Sequence, residues 1–306
     1  MGRLEGKSAL IFGAGPNIGG TCAYFMAREG AKVLVCDANL EAAEKTCRFI
    51  GSRGHVAFAA QGDATREADV QAAVDQLAEK TGRIDIVMNM AGKVHWSSVL
   101  DMDVAAWREA IVSFPTAGLL TTKYAARKMI DQGCRGSIIH LLSTTAHFGQ
   151  AEASAYATAK AGLLNFARSA AMELAEWGVR VNTITPCSVE HQLWTKMKTE
   201  AADGAFRRVK GRPQYSRDDY LKNIPLGRFP RASDIAWAAV FLASDESSAI
   251  TGVDIPVDGG LRHKYPTWRP GDFTGVNIDD YVNELRRVEY GEDAGPAFPG
   301  RGAGKR

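Results

Sequence analysis

Five times along this chain of 306 residues, a short apolar run closes on a small or polar residue and gives way to a helix-patterned stretch. The runs are Ser8 to Phe12, Lys32 to Cys36, His55 to Ala60, Ile84 to Met88 and Ser137 to Leu142. They are too short for buried helices, and they lack the strict alternation of strands with one wet face. Helical periodicity is plainest from Arg66 to Thr81, where Val70, Val74 and Leu77 are in phase, and from Tyr156 to Trp177, which is rich in Ala and Leu. Buried strands alternating with helices predict an α/β fold: a doubly wound parallel sheet with helices on both faces. Ligands of such sheets gather at the carboxyl ends of the strands. Gly13, Asp37, Asp63, Asn89 and Ser143 all fall at those ends.

The first of these ends is Gly13-Ala-Gly15-Pro-Asn17-Ile18-Gly19-Gly20, followed by helical sequence to Glu29. Strand, glycine turn and helix together aim backbone N–H groups and a helix N-terminus at phosphate. The glycines fit Gly-x-x-x-Gly-x-Gly with Asn17 in the middle place. Asn tolerates positive φ and caps helices well, so the exchange is physically mild. A tight turn without a ligand is the alternative. The second strand ends at Asp37, and a carboxylate there can bond both adenosine ribose hydroxyls and repel a 2′-phosphate. Ala38, Asn39 and Leu40 follow with no cation, which favours NAD(H) over NADP(H). Otherwise Asp37 is a surface cap for the helix that starts near Leu40.

Tyr156 and Lys160 lie four apart on one helical face, and Ser143 ends the strand before them. A phenol has a pKa of about 10, and a neighbouring ammonium lowers it. Tyr156 would then exchange a proton with a substrate oxygen near neutral pH, while the Ser143 hydroxyl holds that oxygen. The bland alternative is a core tyrosine beside a surface lysine.

Composition is that of a globular protein, 45% hydrophobic and 24% charged, with a net charge of +2 that gives no reason to expect nucleic acid. The five cysteines include no Cys-x-x-Cys, so reduced thiols are expected rather than disulfides or a metal site. No apolar run reaches membrane-spanning length, and the first strand begins almost at the N-terminus. A cytoplasmic protein without membrane contact is the expectation.

From Gly6 to Leu261 the chain resembles the short-chain dehydrogenase/reductase family. The resemblance rests on the glycine turn, the acidic residue Asp37, Asn89-Met-Ala91-Gly92 and Ser143…Tyr156-x-x-x-Lys160. It rests also on Val179-Arg-Val-Asn-Thr-Ile-Thr-Pro186, Pro225-Leu-Gly-Arg228 and Ile250-Thr-Gly…Val257-Asp-Gly-Gly260. It implies a Rossmann sheet, a nicotinamide cofactor, and hydride transfer between NAD(H) and a secondary alcohol or ketone. By position, Ser143, Tyr156 and Lys160 would be catalytic. Gly13, Gly15, Asn17, Ile18, Asp37, Asp63, Ala64, Asn89, Ala91, Tyr156, Lys160, Pro186 and Val189 would hold the cofactor. Lys160 would bind the nicotinamide ribose as well as tune Tyr156, and no metal is implied. A homotetramer or homodimer is expected from the same resemblance.

The chain also departs from the family pattern. Met90 replaces the second Asn of Asn-Asn-Ala-Gly, Phe114 falls where an active-site Asn is usual, Cys187 replaces Gly, and His191 stands where Thr is usual. Pro115 is expected to kink its helix and free the carbonyl of Ile111. Phe114, Cys187 and His191 keep open a non-catalytic nucleotide-binding regulator with a degenerate site, and an NADPH-dependent carbonyl reductase is a further alternative. Residues 1–262 read as the dehydrogenase domain, with a substrate lid over about 187–226 that carries an excess of Lys and Arg. His95, Trp96, His147, Gln150 and Trp194 are candidate pocket residues by position. Residues 263–306 read as an extension, with Ile278, Tyr281, Val282, Leu285 and Val288 at helical spacing and a Gly/Pro-rich end.

Overall fold

The computed structural model describes residues 2–15, 17–190 and 220–264. The elements are β1 (Ser8–Phe12), α1 (Ile18–Arg28), β2 (Lys32–Asp37), α2 (Leu40–Ser52), β3 (Ala57–Gln61), α3 (Glu67–Thr81) and β4 (Ile86–Asn89). They continue with α4 (Val104–Asp131), β5 (Ser137–Leu141), α5 (Ser154–Leu174), β6 (Arg180–Pro186), α6 (Ala232–Ala243) and β7 (Asp254–Val257). All neighbouring strands are parallel, in the order β3-β2-β1-β4-β5-β6-β7. The order reverses at β1 and β4, which opens a crevice above their carboxyl ends.

Alternate residues of β1 show why both faces need helices. Ala9 and Ile11 pack with α1, α2 and α6, whereas Leu10 and Phe12 pack with α3, α4 and α5. Strands buried on both sides have no wet face, hence their continuous apolar runs. β6 and β7 extend the sheet beyond the five strands read from apolar runs. β7 has only four residues and contains Asp254 and Pro256, so its composition hides it. Thr183 and Thr185 of β6 anchor it, donating to Asp254 Oδ1 at 2.8 and 2.7 Å.

Two local expectations are corrected. Asn17 has φ −145° and makes no side-chain cap bond, so it neither uses positive φ nor caps α1. α2 is capped by Asn39, whose side chain accepts from Ala42 N at 3.3 Å, which frees Asp37 from that role. The helix carrying Pro115 continues through it from Val104 to Asp131, and because proline has no N–H, the Ile111 carbonyl loses its usual donor four residues on. All five cysteines are free. Among the described residues no helix is long and apolar enough to cross a membrane, and no His/Cys/Asp/Glu cluster could hold a metal ion. His191, Trp194, most of the cation-rich lid and the apolar stripe 278–288 lie outside the described residues.

Candidate active site

The glycine turn is built by close approach. Gly13 has φ +75°, and its N–H donates to Cys36 O at 2.9 Å, tying β1's end to β2. A β-carbon on Gly19 would overlap the Gly13 carbonyl and come within 2.7 Å of Ala14 Cα, so α1 begins hard against the turn. Ile18 opens α1 half-buried, and Asn17 is exposed beside it. Asp37 Oδ2 accepts from Gly15 N at 2.9 Å and Oδ1 from Asn39 N at 3.0 Å, so its carboxylate faces the turn.

Asp63 and Ala64 follow β3. Burial works against the Asp63 carboxylate, but hydrogen bonds from the Thr65 hydroxyl and N–H, at 2.6 and 2.8 Å, hold its pKa below the ordinary value. Asn89 is buried at the end of β4 and accepts from Ala91 N at 3.1 Å through Oδ1. Its Nδ2 is buried without a partner. Met90 packs over the glycine turn, where its Sδ would lie 2.9 Å from a β-carbon on Gly19. Pro186 is buried at the end of β6, and Val189 follows half-buried.

Ser143 follows β5 and opens a single turn of 3₁₀ helix, Thr144–Ala146, where its Oγ accepts from Thr145 N at 3.3 Å. The Ser143 hydroxyl also lies close enough to the Tyr156 phenol to favour its ionised form. Tyr156 is half-buried in the first turn of α5, with the Phe114 ring 5.4 Å away edge-on at 69° and the Trp96 ring at 5.5 Å. Trp96 arrives on the loop after β4, which is stitched to the loop before α5 by Ser97 N donating to Glu152 O at 2.9 Å. Lys160 is buried, donates to Leu141 O at 2.7 Å, and lies 5.7 Å from the Tyr156 ring centre.

The electrostatics differ from the sequence expectation. Burial pushes the Tyr156 phenol above its ordinary value, and the nearby Ser143 hydroxyl works against that shift. Lys160 does not lower it; desolvation takes Lys160 itself down to about 7. A buried cation pays for its own desolvation before it can stabilise a neighbour, and that cost is invisible in a Tyr-x-x-x-Lys spacing. Burial likewise takes His140 to about 3, with Lys160's charge adding to the effect.

Of the other candidates among the described residues, Trp96 lies against Tyr156. His95 pairs with Glu109 at 2.7 Å, Gln150 is exposed, and His147 is drawn to Asp254 at 3.0 Å. Residues not anticipated include Gly92, where a β-carbon would overlap the Phe114 ring, and Tyr220, hydrogen-bonded to Ser188 and Thr144. Gly92 was legible only as part of a motif, and nothing local marks Tyr220.

The residues suit a dinucleotide. A glycine cradle that β-carbons would fill, a carboxylate turned towards it, and an orphaned Asn89 donor all line one crevice. A family profile described as enoyl-(acyl carrier protein) reductase matches residues 13–262. D-threitol dehydrogenase of Mycolicibacterium smegmatis is 36% identical over 86% of this chain and 95% of its own. Cis-4-hydroxycyclohexanecarboxylate dehydrogenase of Sinomonas cyclohexanicum is 35% identical over 83% of this chain and 96% of its own. Among solved structures, NAD+-bound xylitol dehydrogenase superposes with a TM-score of 0.76 at 29% identity, over 84% of this chain and 99% of that one. With these matches spanning the sheet, the crevice and the Ser143–Tyr156–Lys160 cluster, the chain belongs to the short-chain dehydrogenase/reductase family, whose members use NAD or NADP.

Proposed function

We propose that this protein is an NAD(H)-dependent oxidoreductase acting on a secondary alcohol or the matching ketone. The observation that carries the reading is the Ser143 hydroxyl beside the Tyr156 phenol, close enough to favour its ionised form, with Lys160 buried one helical turn away. The names of the relatives above, which include alcohol and polyol dehydrogenases, support the reaction class. Asp37 supports NAD over NADP, because a 2′-phosphate beside that carboxylate would bring two like charges together.

In this reading Gly13, Gly15, Asn17, Ile18, Asp37, Asp63, Ala64, Asn89, Ala91, Pro186 and Val189 hold the dinucleotide. When bound, its nicotinamide supplies the carbon that accepts or gives hydride. Ser143 donates a hydrogen bond to the substrate oxygen, where negative charge develops. Tyr156 gives a proton to that oxygen in reduction and takes it back in oxidation. Its raised pKa keeps the phenol protonated at neutral pH, the form that donates. Lys160, buried one helical turn from the phenol, holds the nicotinamide ribose. Trp96 supplies an apolar wall beside the phenol.

The same reading assigns a substrate lid to about 187–226 and an appended segment to 263–306, in a homotetramer or homodimer. The test is a panel of secondary alcohols and polyols with NAD or NADP, followed at the nicotinamide absorbance. Turnover with NAD on at least one alcohol is expected. Nucleotide binding without turnover on any alcohol or ketone would favour a regulator instead.

A further inference from the structure

Phe114 stands where the resemblance places an asparagine, and its ring fills a distinct position. It is buried, in an edge-to-face contact with the Tyr156 ring, and it lies against Gly92, where any β-carbon would overlap it. Its face carries the Lys160 ammonium, with Nζ 4.1 Å from the ring centre. An ammonium has three donors and no acceptor. Lys160 directs a hydrogen bond to Leu141 O at 2.7 Å, and among the described residues no carboxylate lies within ion-pair distance of it. An unpaired buried cation is costly, and the negative face of an aromatic ring is one of the few apolar surfaces that attracts it.

We propose that Phe114 is a positioning residue for Lys160: its ring face seats the ammonium against the Leu141 carbonyl and, through its edge contact, holds Tyr156 beside it. This deepens the dehydrogenase reading and rests on it for the part Lys160 plays in the reaction, whereas the seat itself exists without turnover. A leucine of similar bulk would fill the space but give the charge no quadrupole. Gly92 belongs to the same device, because it leaves room for the ring at the end of the β4 loop. The titratable groups facing the ammonium are Tyr156 on α5 and His140 on β5, while α4 contributes the uncharged ring. His140 is neutral around pH 7, so it adds no competing charge there.

The experiment replaces Phe114 in the full chain by mono-, di- and trifluorophenylalanine, which weaken the ring's quadrupole stepwise while nearly preserving its shape. Ionisation of Lys160 is followed by NMR of lysine labelled with ¹³C at Cε, its signal assigned by its loss in Lys160→Met. The acid dissociation constant of Lys160 is expected to rise with each fluorine, by about tenfold in total, because the charged form loses its partner. Phe114→Leu should move it the same way, and the fluorinated series keeps the test decisive if that variant fails to fold. A constant that stays fixed across folded fluorinated proteins would overturn the proposal. Because the readout needs neither cofactor nor substrate, it separates this inference from the dehydrogenase reading, which is tested at Tyr156.

Discussion

The carboxylate of Asp37 accepts the Gly15 N–H at 2.9 Å, joining the acidic end of β2 to the glycine turn after β1. Two strand ends are thereby locked into one surface, and the charge that would meet an adenosine ribose is fixed in direction. Asp37→Ala should weaken NAD binding and strengthen NADP binding, narrowing the preference by roughly 10–100-fold, as expected for charge-assisted hydrogen bonds and a removed repulsion. Dissociation constants from nucleotide fluorescence check this. An unchanged ratio would remove Asp37 from the ribose site.

Gly19 packs so closely that a β-carbon would overlap the Gly13 carbonyl. Gly19→Ala should therefore push α1 off the turn, costing about 1–3 kcal/mol or more by overpacking and weakening nucleotide binding. Gly149→Ala, with nothing within 4 Å of its β-carbon, serves as the control and should be neutral. Denaturant titration of both variants provides the comparison.

Burial raises the Tyr156 phenol, so the protonated form persists to higher pH than in a free phenol. Reduction needs that form and oxidation needs the phenolate. The kcat/KM for alcohol oxidation should climb with pH through the alkaline range, while that for ketone reduction holds at neutral pH and falls as the phenol ionises. Parallel pH profiles in the two directions test this. A plateau for oxidation already reached below neutrality would contradict the electrostatics described here.

Lys160 is lowered by desolvation from an ordinary 10.5 to about 7. Between those values the unfolded chain binds a proton that the folded chain does not, so stability rises with pH across that window. Its contribution is present above the unfolded value and is lost as pH falls towards 7. Lys160→Met should thus stabilise the fold most near pH 6–7. The advantage over wild type should shrink by about 1 kcal/mol per pH unit towards pH 9. Guanidinium unfolding of both proteins at several pH values measures the difference, and a pH-independent gap would show that Lys160 does not titrate there.

Much of this architecture was legible from local pattern. The first five strands are short apolar runs because each is covered on both faces, and the alternation with helices dictates parallel pairing. Gly13, Asp37 and Ser143 were found because chemistry at strand ends follows from topology. What escaped depends on contacts distant in sequence. β7 gains its place from two threonines of β6 rather than from its own composition. Asn17 has the right residue type for a cap but not the backbone angles. The spacing of Tyr156 and Lys160 revealed their shared helical face, yet desolvation raises one and lowers the other, because Tyr156 packs against the cluster of Phe114, Leu142 and Leu163 and Lys160 is buried over the Phe114 ring. Phe114 itself read as a lost asparagine, and only the fold reveals a ring under a cation.

The central claim is that the phenol of Tyr156 exchanges the proton at the substrate oxygen. Tyr156→Phe removes one oxygen and keeps the ring packed against Trp96 and Phe114. Measured with an alcohol that wild type oxidises, the variant should bind NAD within about twofold of wild type and lose at least roughly 10²–10⁴-fold in kcat, the span of general acid–base catalysis. Oxidation at a rate near that of wild type, with NAD still bound, would contradict it.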